Sequence, residues 1–492
     1  MEPADRETCY RALQARDRRF DGRLFVGVTS TGIYCRPICP ARTAKFENCR
    51  FFASAAAAQE AGFRACLRCR PEISPEVAGW RGTSNTVSRA LMFLAEGFLD
   101  RDGANVEALA ERVGIGERQL RRLFQQHLGA SPLSVAQTRR ILFAKQLLHE
   151  TRLSMTDVAM AAGFGSVRRF NETFQELYKR PPSELRRARR MPEQTPAAIT
   201  LHAAYQPPYD WSAMYAYLAA RAIDGVEEVT NGYYRRTVSH EANCGVIEVT
   251  DNPRRHGLAV RIRFPNVRAL PAIILRVRRM FDLYADVNRI AAHLAKDPAL
   301  ACRIAERPGL RAPGGWDGFE LAVRAVLGQQ ISVEAARQLA ARLVRICNRR
   351  AQAVADDGLC YLFPDARAVA GSDLTALGMP GTRKNTLKAL AQASVNDPGL
   401  FEPAGSVEEA VARLRTIPGV GEWTAQYIAL RALRENDAFP ATDIGILRAA
   451  AKLEGSAVSA AQILQRAEQW RPWRGYAAQH LWALNTSVNS HA

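Results

Sequence analysis

Between Val87 and Arg190, apolar residues recur at steps of three and four, the period of helices that bury one face. Two stretches there repeat one pattern. Residues 106–132, VEALAERVGIGERQLRRLFQQHLGASP, and residues 155–182, MTDVAMAAGFGSVRRFNETFQELYKRPP, align on an A-x3-G core. Each predicts a short apolar helix (Ala108, Leu109 and Val113; Val158, Ala159 and Ala162), a glycine turn and a basic second helix. Segment 257–264, GLAVRIRF, alternates instead. Leu258, Val260, Ile262 and Phe264 fall on one face, and Ala259, Arg261 and Arg263 on the other. That period of two predicts a half-buried strand, as does the shorter GVIEVT at 245–250. A small antiparallel sheet with helices is therefore expected at about 199–275, and helices from there to the end. EISPEVAGWRGTSN (72–85), with its Pro, Gly and Ser, reads as a linker, and MPEQTPAAI (191–199) as a second.

Composition narrows the setting. The chain has 492 residues, too many for one ordinary domain, and 47% are hydrophobic, enough for well-packed cores. No apolar run approaches a membrane span, and the opening MEPADRETCY lacks an apolar signal core. A soluble, cytoplasmic protein is expected, with no membrane partner. Its ten cysteines should then be thiols or metal ligands rather than disulfides. Lys and Arg outnumber Asp and Glu by 67 to 49, a formal net charge of +18. Such an excess suits a polyanion, although solubility alone also uses charge.

Four of the cysteines form two close pairs. Cys35 and Cys39 lie in YCRPICPAR, and Cys66 and Cys69 in ACLRCRP. Two pairs joined by one loop have the spacing of a tetrahedral four-thiolate zinc site; four unrelated core thiols are the competing reading. Cys9 and Cys49 stand apart and read as packing residues. Arg36, Arg42, Arg64, Arg68 and Arg70 crowd the ligands, where arginines can hold DNA phosphates.

At these residues the sequence resembles a known family. TSTGIYCRPICPAR with AGFRACLRCRP is similar to the Ada-type zinc domain that senses methylphosphotriesters in DNA. The resemblance covers about 1–80 and implies one Zn2+ on Cys35, Cys39, Cys66 and Cys69. It also implies that Cys35 is the nucleophile that takes a methyl group from a methylated phosphate. Spacing alone does not single out Cys35. The two helical repeats resemble the AraC-type regulator domain, including Gly163, Phe164, Ser166 and Phe170. That likeness places Arg118 and Arg121 of the first unit and Arg168 of the second, with Gln119, Arg122, Arg169 and Asn171, against DNA. It carries the expectation of promoter DNA and RNA polymerase as partners. A plain helical bundle with charged outer faces is the alternative.

The last third centres on LRTIPGVGEWTAQYIALR, residues 414–431. IPGVG between helical segments is a helix-hairpin-helix turn, whose Gly419 and Gly421 let backbone amides approach a DNA phosphate. Asp443, in DAFPATDIGILRA, follows 22 residues after Gly421. With GFELAVRAVLGQQIS, ALGMPGTRKNTL and WRPWRGYAAQHLW, the stretch from QPPYDWS to the C-terminus resembles the helix-hairpin-helix glycosylases, most closely the 3-methyladenine DNA glycosylase II (AlkA) type. The resemblance implies Asp443 as the catalytic carboxylate and double-stranded alkylated DNA as substrate. It implies Trp423, Tyr427, Trp482 and Tyr217 as walls of the base pocket, with Trp211 nearby; on the residues alone each aromatic reads as core sooner than as pocket. Asp437 reads as a solvated loop residue. A carboxylate at Asp443 would stabilise an oxocarbenium-like sugar, and electron-rich rings would favour a cationic, N-alkylated base.

Three departures qualify the likeness. Lyases of the superfamily carry lysine where Trp423 stands, so base removal without strand cleavage is expected. Gln330 occupies the position of an apolar DNA-intercalating residue. None of NCGV, ACRI, ICNR and LCYL fits the Pro-Cys-His-Arg context of Ada's guanine methyltransferase domain. The fold class expected is multidomain and mainly α with α+β parts. Residues 1–80 form a small four-cysteine zinc domain and 81–190 an all-α double helix-turn-helix domain. Residues 199–275 form a small antiparallel sheet-plus-helix domain and 276–492 an all-α helix-hairpin-helix glycosylase domain. The function expected is alkylation response by phosphotriester repair, transcriptional activation and base excision. A regulator with a structural zinc and an inactive glycosylase-like module is the alternative.

Overall fold

The structure, a computed structural model, describes residues 5–75, 85–100, 103–187, 198–351 and 358–486. Both expected linkers fall largely on residues outside these. The chain folds as two compact units. The first comprises Met1–Gln206, Asp251–Leu275 and Leu283–Ala285; the second comprises Pro207–Thr250, Arg276–Asp282 and Asp286–Ala492.

The first unit begins with α1 (Arg6–Gln14) and a sheet that the hydrophobic pattern did not reveal. Strands β1 (Phe25–Val28), β2 (Ile33–Cys35), β3 (Cys49–Phe52) and β4 (Arg64–Ala65) lie in the order β3-β1-β2-β4, with α2 (Ala55–Glu60) between the last two in sequence. All neighbours are antiparallel except β2 and β4, which run parallel, Tyr34 opposite Ala65. The strands are two to four residues long, too short to show alternation. Cys9 and Cys49 pack in the small apolar core beside this sheet, as expected.

Helices follow: α3 (Asn85–Ala95), α4 (Val106–Arg112), α5 (Glu117–Leu128), α6 (Pro132–Glu150), α7 (Met155–Ala161), α8 (Val167–Tyr178) and α9 (Pro182–Arg187). The sequence repeat is a structural repeat. Asn105 caps α4 and Ser154 caps α7 through side-chain oxygens, which satisfies amides the first turn leaves open. The second helices α5 and α8 each have 12 residues. They bury Leu120, Phe124 and Leu128 in one and Phe170, Phe174 and Tyr178 in the other, at matching four-residue steps. Both end on a left-handed residue, Gly129 (φ +67°) and Lys179 (φ +54°). The first unit is completed by β5 (Ile199–Ala204), antiparallel to the strand Gly257–Arg263. There Leu258, Val260 and Ile262 are buried and Arg261 is exposed, the alternation read from the sequence.

The second unit opens with α10 (Trp211–Ala219) and an antiparallel meander of β6 (Glu227–Thr230), β7 (Tyr233–His240) and β8 (Asn243–Asn252). Helix α11 (Leu270–Met280) leads into α12 (Val287–Leu294), α13 (Pro298–Glu306), α14 (Gly318–Leu327) and α15 (Val333–Cys347). Then come α16 (Ala366–Gly371), α17 (Gly381–Asn396), α18 (Val407–Arg415), α19 (Glu422–Ile428), α20 (Ile444–Glu454), α21 (Ala460–Ala467) and α22 (Arg474–Thr486). Leu321, Val326, Leu343, Leu387, Leu414 and Ile428 anchor one continuous core here. Among the described residues, no helix is long and apolar enough to cross a membrane.

Candidate metal centre and candidate active site

The metal centre is a product of strand pairing. Cys35 ends β2 and Cys66 follows β4, so the parallel pairing of these two strands brings the distant pairs together; the Cys66 amide donates to the Tyr34 carbonyl at 3.0 Å. The four ligand sulfurs of Cys35, Cys39, Cys66 and Cys69 all lie within 4.8 Å of one another. A tetrahedral zinc with Zn–S of about 2.3 Å needs sulfurs roughly 3.8 Å apart, so this donor set fits one Zn2+. Cys39, Cys66 and Cys69 are buried, and Cys35 is half-exposed. The Arg36 amide donates to Cys69 Sγ at 3.3 Å and the Arg68 amide to Cys66 Sγ at 3.4 Å. Among the described residues, no amide donates to Cys35 Sγ.

The arginines around this centre do not all face solvent. Arg42 and Arg68 are exposed, as a phosphate contact requires. Arg36 is not. Its guanidinium is buried, donates to both carboxylate oxygens of Asp21 and gives a third hydrogen bond to the Cys69 carbonyl. The expectation that Arg36 contacts DNA is therefore corrected, because its donors are spent on a buried ion pair that braces the ligand loop. Arg70 is likewise buried, against Glu72 and Glu150. Lys145 of α6 joins the same network through Glu72 (2.7 Å) and the Cys66 carbonyl (2.9 Å), so the metal loop and the central helix of the helix-turn-helix pair share buried charges. Burial, offset by the nearby Glu72, lowers the basicity of His149 at this junction. Arg118, Arg121 and Arg168 are exposed on α5 and α8, each near a helix start. Arg121 and Arg168 pair with Glu117 and Glu172 one turn away.

In the second unit, α18, the IPGVG turn and α19 form the hairpin. Gly419 has φ +84°, and a Cβ there would come within 1.8 Å of Thr386 Oγ1, so only glycine fits. Gln329, which the sequence reading did not single out, ties this turn to the end of α14 by donating to the Gly419 carbonyl (3.2 Å) and Thr424 Oγ1 (3.0 Å). Its neighbour Gln330 is exposed with φ +58°, displayed on the same turn. Gly421 opens α19 with no side-chain cap, which leaves the amides of the first turn available.

Trp423 and Tyr427 are one helical turn apart on α19, and their rings stack at 5.4 Å with a 17° tilt. Trp482 of α22 meets Tyr427 edge-on at 6.2 Å. Asp443 is the N-cap of α20, and three donors hold its carboxylate. Oδ1 accepts from the Ile446 amide (3.0 Å) and the Trp482 indole (2.8 Å); Oδ2 accepts from the Trp423 indole (2.7 Å). A partly exposed carboxylate thus sits at the edge of an aromatic wall, with its orientation fixed by two of the wall's own residues. Tyr217 of α10 completes the cluster, its hydroxyl 3.3 Å from that of Tyr427. Burial pushes the Tyr427 hydroxyl up to about 12. In Tyr217 the opposing charges of Arg431 and Arg221 outweigh burial and lower it.

Two expectations change here. Trp211 stacks on Phe281 at 5.9 Å and is absent from the cluster. Asp437 is not a solvated loop residue but is largely buried between Arg474 (3.0 Å) and Arg471. A second residue missed, besides Gln329, is Arg431. It is 2% exposed, and its guanidinium lies 4.9 Å from the Trp482 ring centroid, 5.1 Å from Tyr217 and 5.6 Å from Tyr427. The signal was present: Trp423, Tyr427 and Arg431 follow at four-residue steps on one helical face.

Fold and sites together define a zinc-centred helix-turn-helix regulator fused to a helix-hairpin-helix protein of the base-excision class. Residues 8–72 match the metal binding domain of Ada and 109–188 a helix-turn-helix domain. Residues 200–317 match the AlkA N-terminal domain and 323–474 the HhH-GPD superfamily of base excision DNA repair proteins. A Mycobacterium tuberculosis protein described as a probable bifunctional transcriptional activator/DNA repair enzyme AlkA is 41% identical over 491 residues, 99% of this chain and 98% of its own. The chain belongs to that family of bifunctional AlkA proteins. DNA-3-methyladenine glycosylase 2 of Escherichia coli is 38% identical over 282 residues, 56% of this chain and 95% of its own. The solved 3-methyladenine DNA-glycosylase from Archaeoglobus fulgidus shares the fold, with a TM-score of 0.51 and 22% identity over 57% of this chain and 96% of that one.

Proposed function

We propose that this chain is a fused DNA alkylation-response protein whose domains run 1–80, 81–190, 199–275 and 276–492. The last two excise alkylated bases such as 3-methyladenine from double-stranded DNA by hydrolysis. The observation that carries this reading is the Asp443 carboxylate, pinned by the indoles of Trp423 and Trp482 at the edge of stacked aromatic rings. The rings receive the flipped base, whose positive charge makes it a good leaving group. Asp443 supplies the negative charge that stabilises the oxocarbenium-like sugar as the C1′–N bond breaks, and orients the water that replaces the base. Gly419 and Gly421 hold a phosphate with backbone amides, and Gln330 fills the space the base leaves. Trp423 stands where a lyase has its amine, so the product is an uncleaved abasic strand.

In the first two domains, Cys35 takes a methyl group from a methylphosphotriester. Its S–CH3 bond forms as the methyl–oxygen bond breaks, and the phosphodiester leaves as an anion. Zinc, when bound, keeps the four thiols deprotonated at neutral pH. Cys35 is the one residue of the four that is partly exposed, and among the described residues no amide donates to its sulfur, which supports it as the nucleophile. Methylation removes one negative charge from the sulfur cluster, which near DNA phosphates is worth on the order of 1–4 kcal/mol. Arg42 and Arg68 then hold the phosphates, and Arg118, Arg121 and Arg168 dock on promoter DNA where RNA polymerase is recruited. The two activities place the protein at the bacterial nucleoid. The test is incubation of the full chain with DNA bearing methylphosphotriesters, followed by peptide mapping and promoter binding. One methyl on Cys35 with tighter binding is expected; methyl on another cysteine, or unchanged affinity, would overturn the switch.

A further inference from the structure

The base pocket carries a buried positive charge that base excision, as derived above, does not use. Arg431 donates to the Pro313 carbonyl (2.9 Å) and to Gln479 Oε1 (2.8 Å), both neutral acceptors, and its Nε has no acceptor. Among the described residues, no carboxylate pairs with it. Its guanidinium instead lies over the faces of Tyr217, Tyr427 and Trp482, three of the four pocket rings. Arg221, half-buried, covers Tyr217 as well, at 4.0 Å. Burying a charge without a counter-charge is costly, so this arrangement is expensive for the fold.

It also acts on whatever enters the pocket. An aromatic ring attracts a cation through its π face. Where one face already holds a guanidinium, a second cation on the other face meets the attraction already spent and the first charge's repulsion. A neutral base loses little, because it stacks by dispersion. Among the described residues, Trp423 is the one ring of the four with no arginine over it.

We propose that Arg431 determines the charge specificity of the pocket, lowering its preference for cationic over neutral bases. This rests on the glycosylase reading above. Arg431 acts through the rings and is a specificity-determining residue rather than a catalytic one.

The measurement is a ratio of single-turnover excision rates on two duplexes, one carrying 7-methylguanine, which is cationic, and one carrying hypoxanthine, which is neutral. Both are measured on the same full-length preparation, so a loss of folded protein cancels. Arg431→Gln should raise the cationic-to-neutral ratio by about tenfold or more, while Arg431→Lys, which keeps the charge, should leave it within about threefold of wild type. If Arg431→Gln does not fold, Gln479→Glu supplies the test. It places a carboxylate against the guanidinium with Arg431 in place, and should raise the ratio in the same direction. An unchanged ratio in Arg431→Gln or Gln479→Glu, or an equal shift in Arg431→Lys, would overturn the proposal. A wild-type chain that released neither base would instead overturn the glycosylase reading itself.

Discussion

Asp443→Asn separates the charge of the carboxylate from its shape. The three donors around Asp443 allow the consequences to be worked out. Asparagine is as good an N-cap as aspartate, so its amide oxygen can keep the Ile446 amide and the Trp482 indole. Its NH2 group then faces the Trp423 indole N–H, which donated to Oδ2 at 2.7 Å. One donor is stranded, at a cost of about 1–3 kcal/mol. That is a shift of about 2–4 °C in melting temperature per kcal/mol for a unit of this size, and the protein stays folded. Loss of the fixed negative charge facing the sugar should cost far more in rate, about 100- to 1000-fold or more. The assay is single-turnover release of 3-methyladenine with enzyme in excess, paired with affinity for undamaged duplex. Binding should change little, since it depends on the hairpin and the basic surface. An Asn variant that excises within about tenfold of wild type would remove Asp443's charge from the mechanism. A parallel collapse of undamaged-DNA binding would show that folding, not chemistry, had failed.

Four further outcomes are expected. Purified full-length protein should carry one zinc per chain, measured by elemental analysis, and stripping it with a strong chelator should lower the melting temperature; a zinc-free chain of equal stability would refute the four-sulfur site. Asp21→Asn should destabilise the zinc-loaded protein by about 3–5 kcal/mol because it leaves the Arg36 guanidinium buried without its carboxylate. Arg68→Ala, by contrast, should cost little stability and lower the salt slope of DNA binding by about one, and the reverse pattern would restore Arg36 as the phosphate contact. Burial holds His480 at about 4 in the folded chain against 6.5 unfolded. The unfolded chain therefore binds the proton first as pH falls, and stability present above pH 6.5 should decline by about 3 kcal/mol toward pH 4. His480→Gln should flatten that decline in denaturant titrations, and an unchanged slope would contradict the assignment.

How much was legible in the sequence depended on how local the physics is. The repeat of α4–α5 in α7–α8 was visible because glycine turns and apolar steps of three and four residues act within a dozen residues. The strand at Gly257–Arg263 was visible because Leu258, Val260 and Ile262 alternate with Ala259 and Arg261. The sheet of the zinc domain was not, since strands of two to four residues show no period and three of the four carry cysteine or arginine. The four ligands were found from spacing, whereas the choice of Cys35 among them rested on the family resemblance, because spacing treats the four sulfurs alike. Arg36 was misread because its partner, Asp21, lies 15 residues away and no local pattern links them. Asp437 failed for the same reason, with Arg471 and Arg474 some 35 residues downstream. Arg431 was overlooked although it shares a helix face with Trp423 and Tyr427, because an arginine at a helix end ordinarily reads as solvated.

Whether one chain both accepts methyl groups from phosphotriesters and removes alkylated bases is tested most directly by a single incubation with methylated duplex DNA. Mass analysis then follows the protein and the released bases together. One added methyl is expected, on the peptide containing Cys35, together with free 3-methyladenine and abasic strands that break only under alkali. A chain that gains no methyl on Cys35, or that releases no alkylated base while binding the DNA, would contradict it.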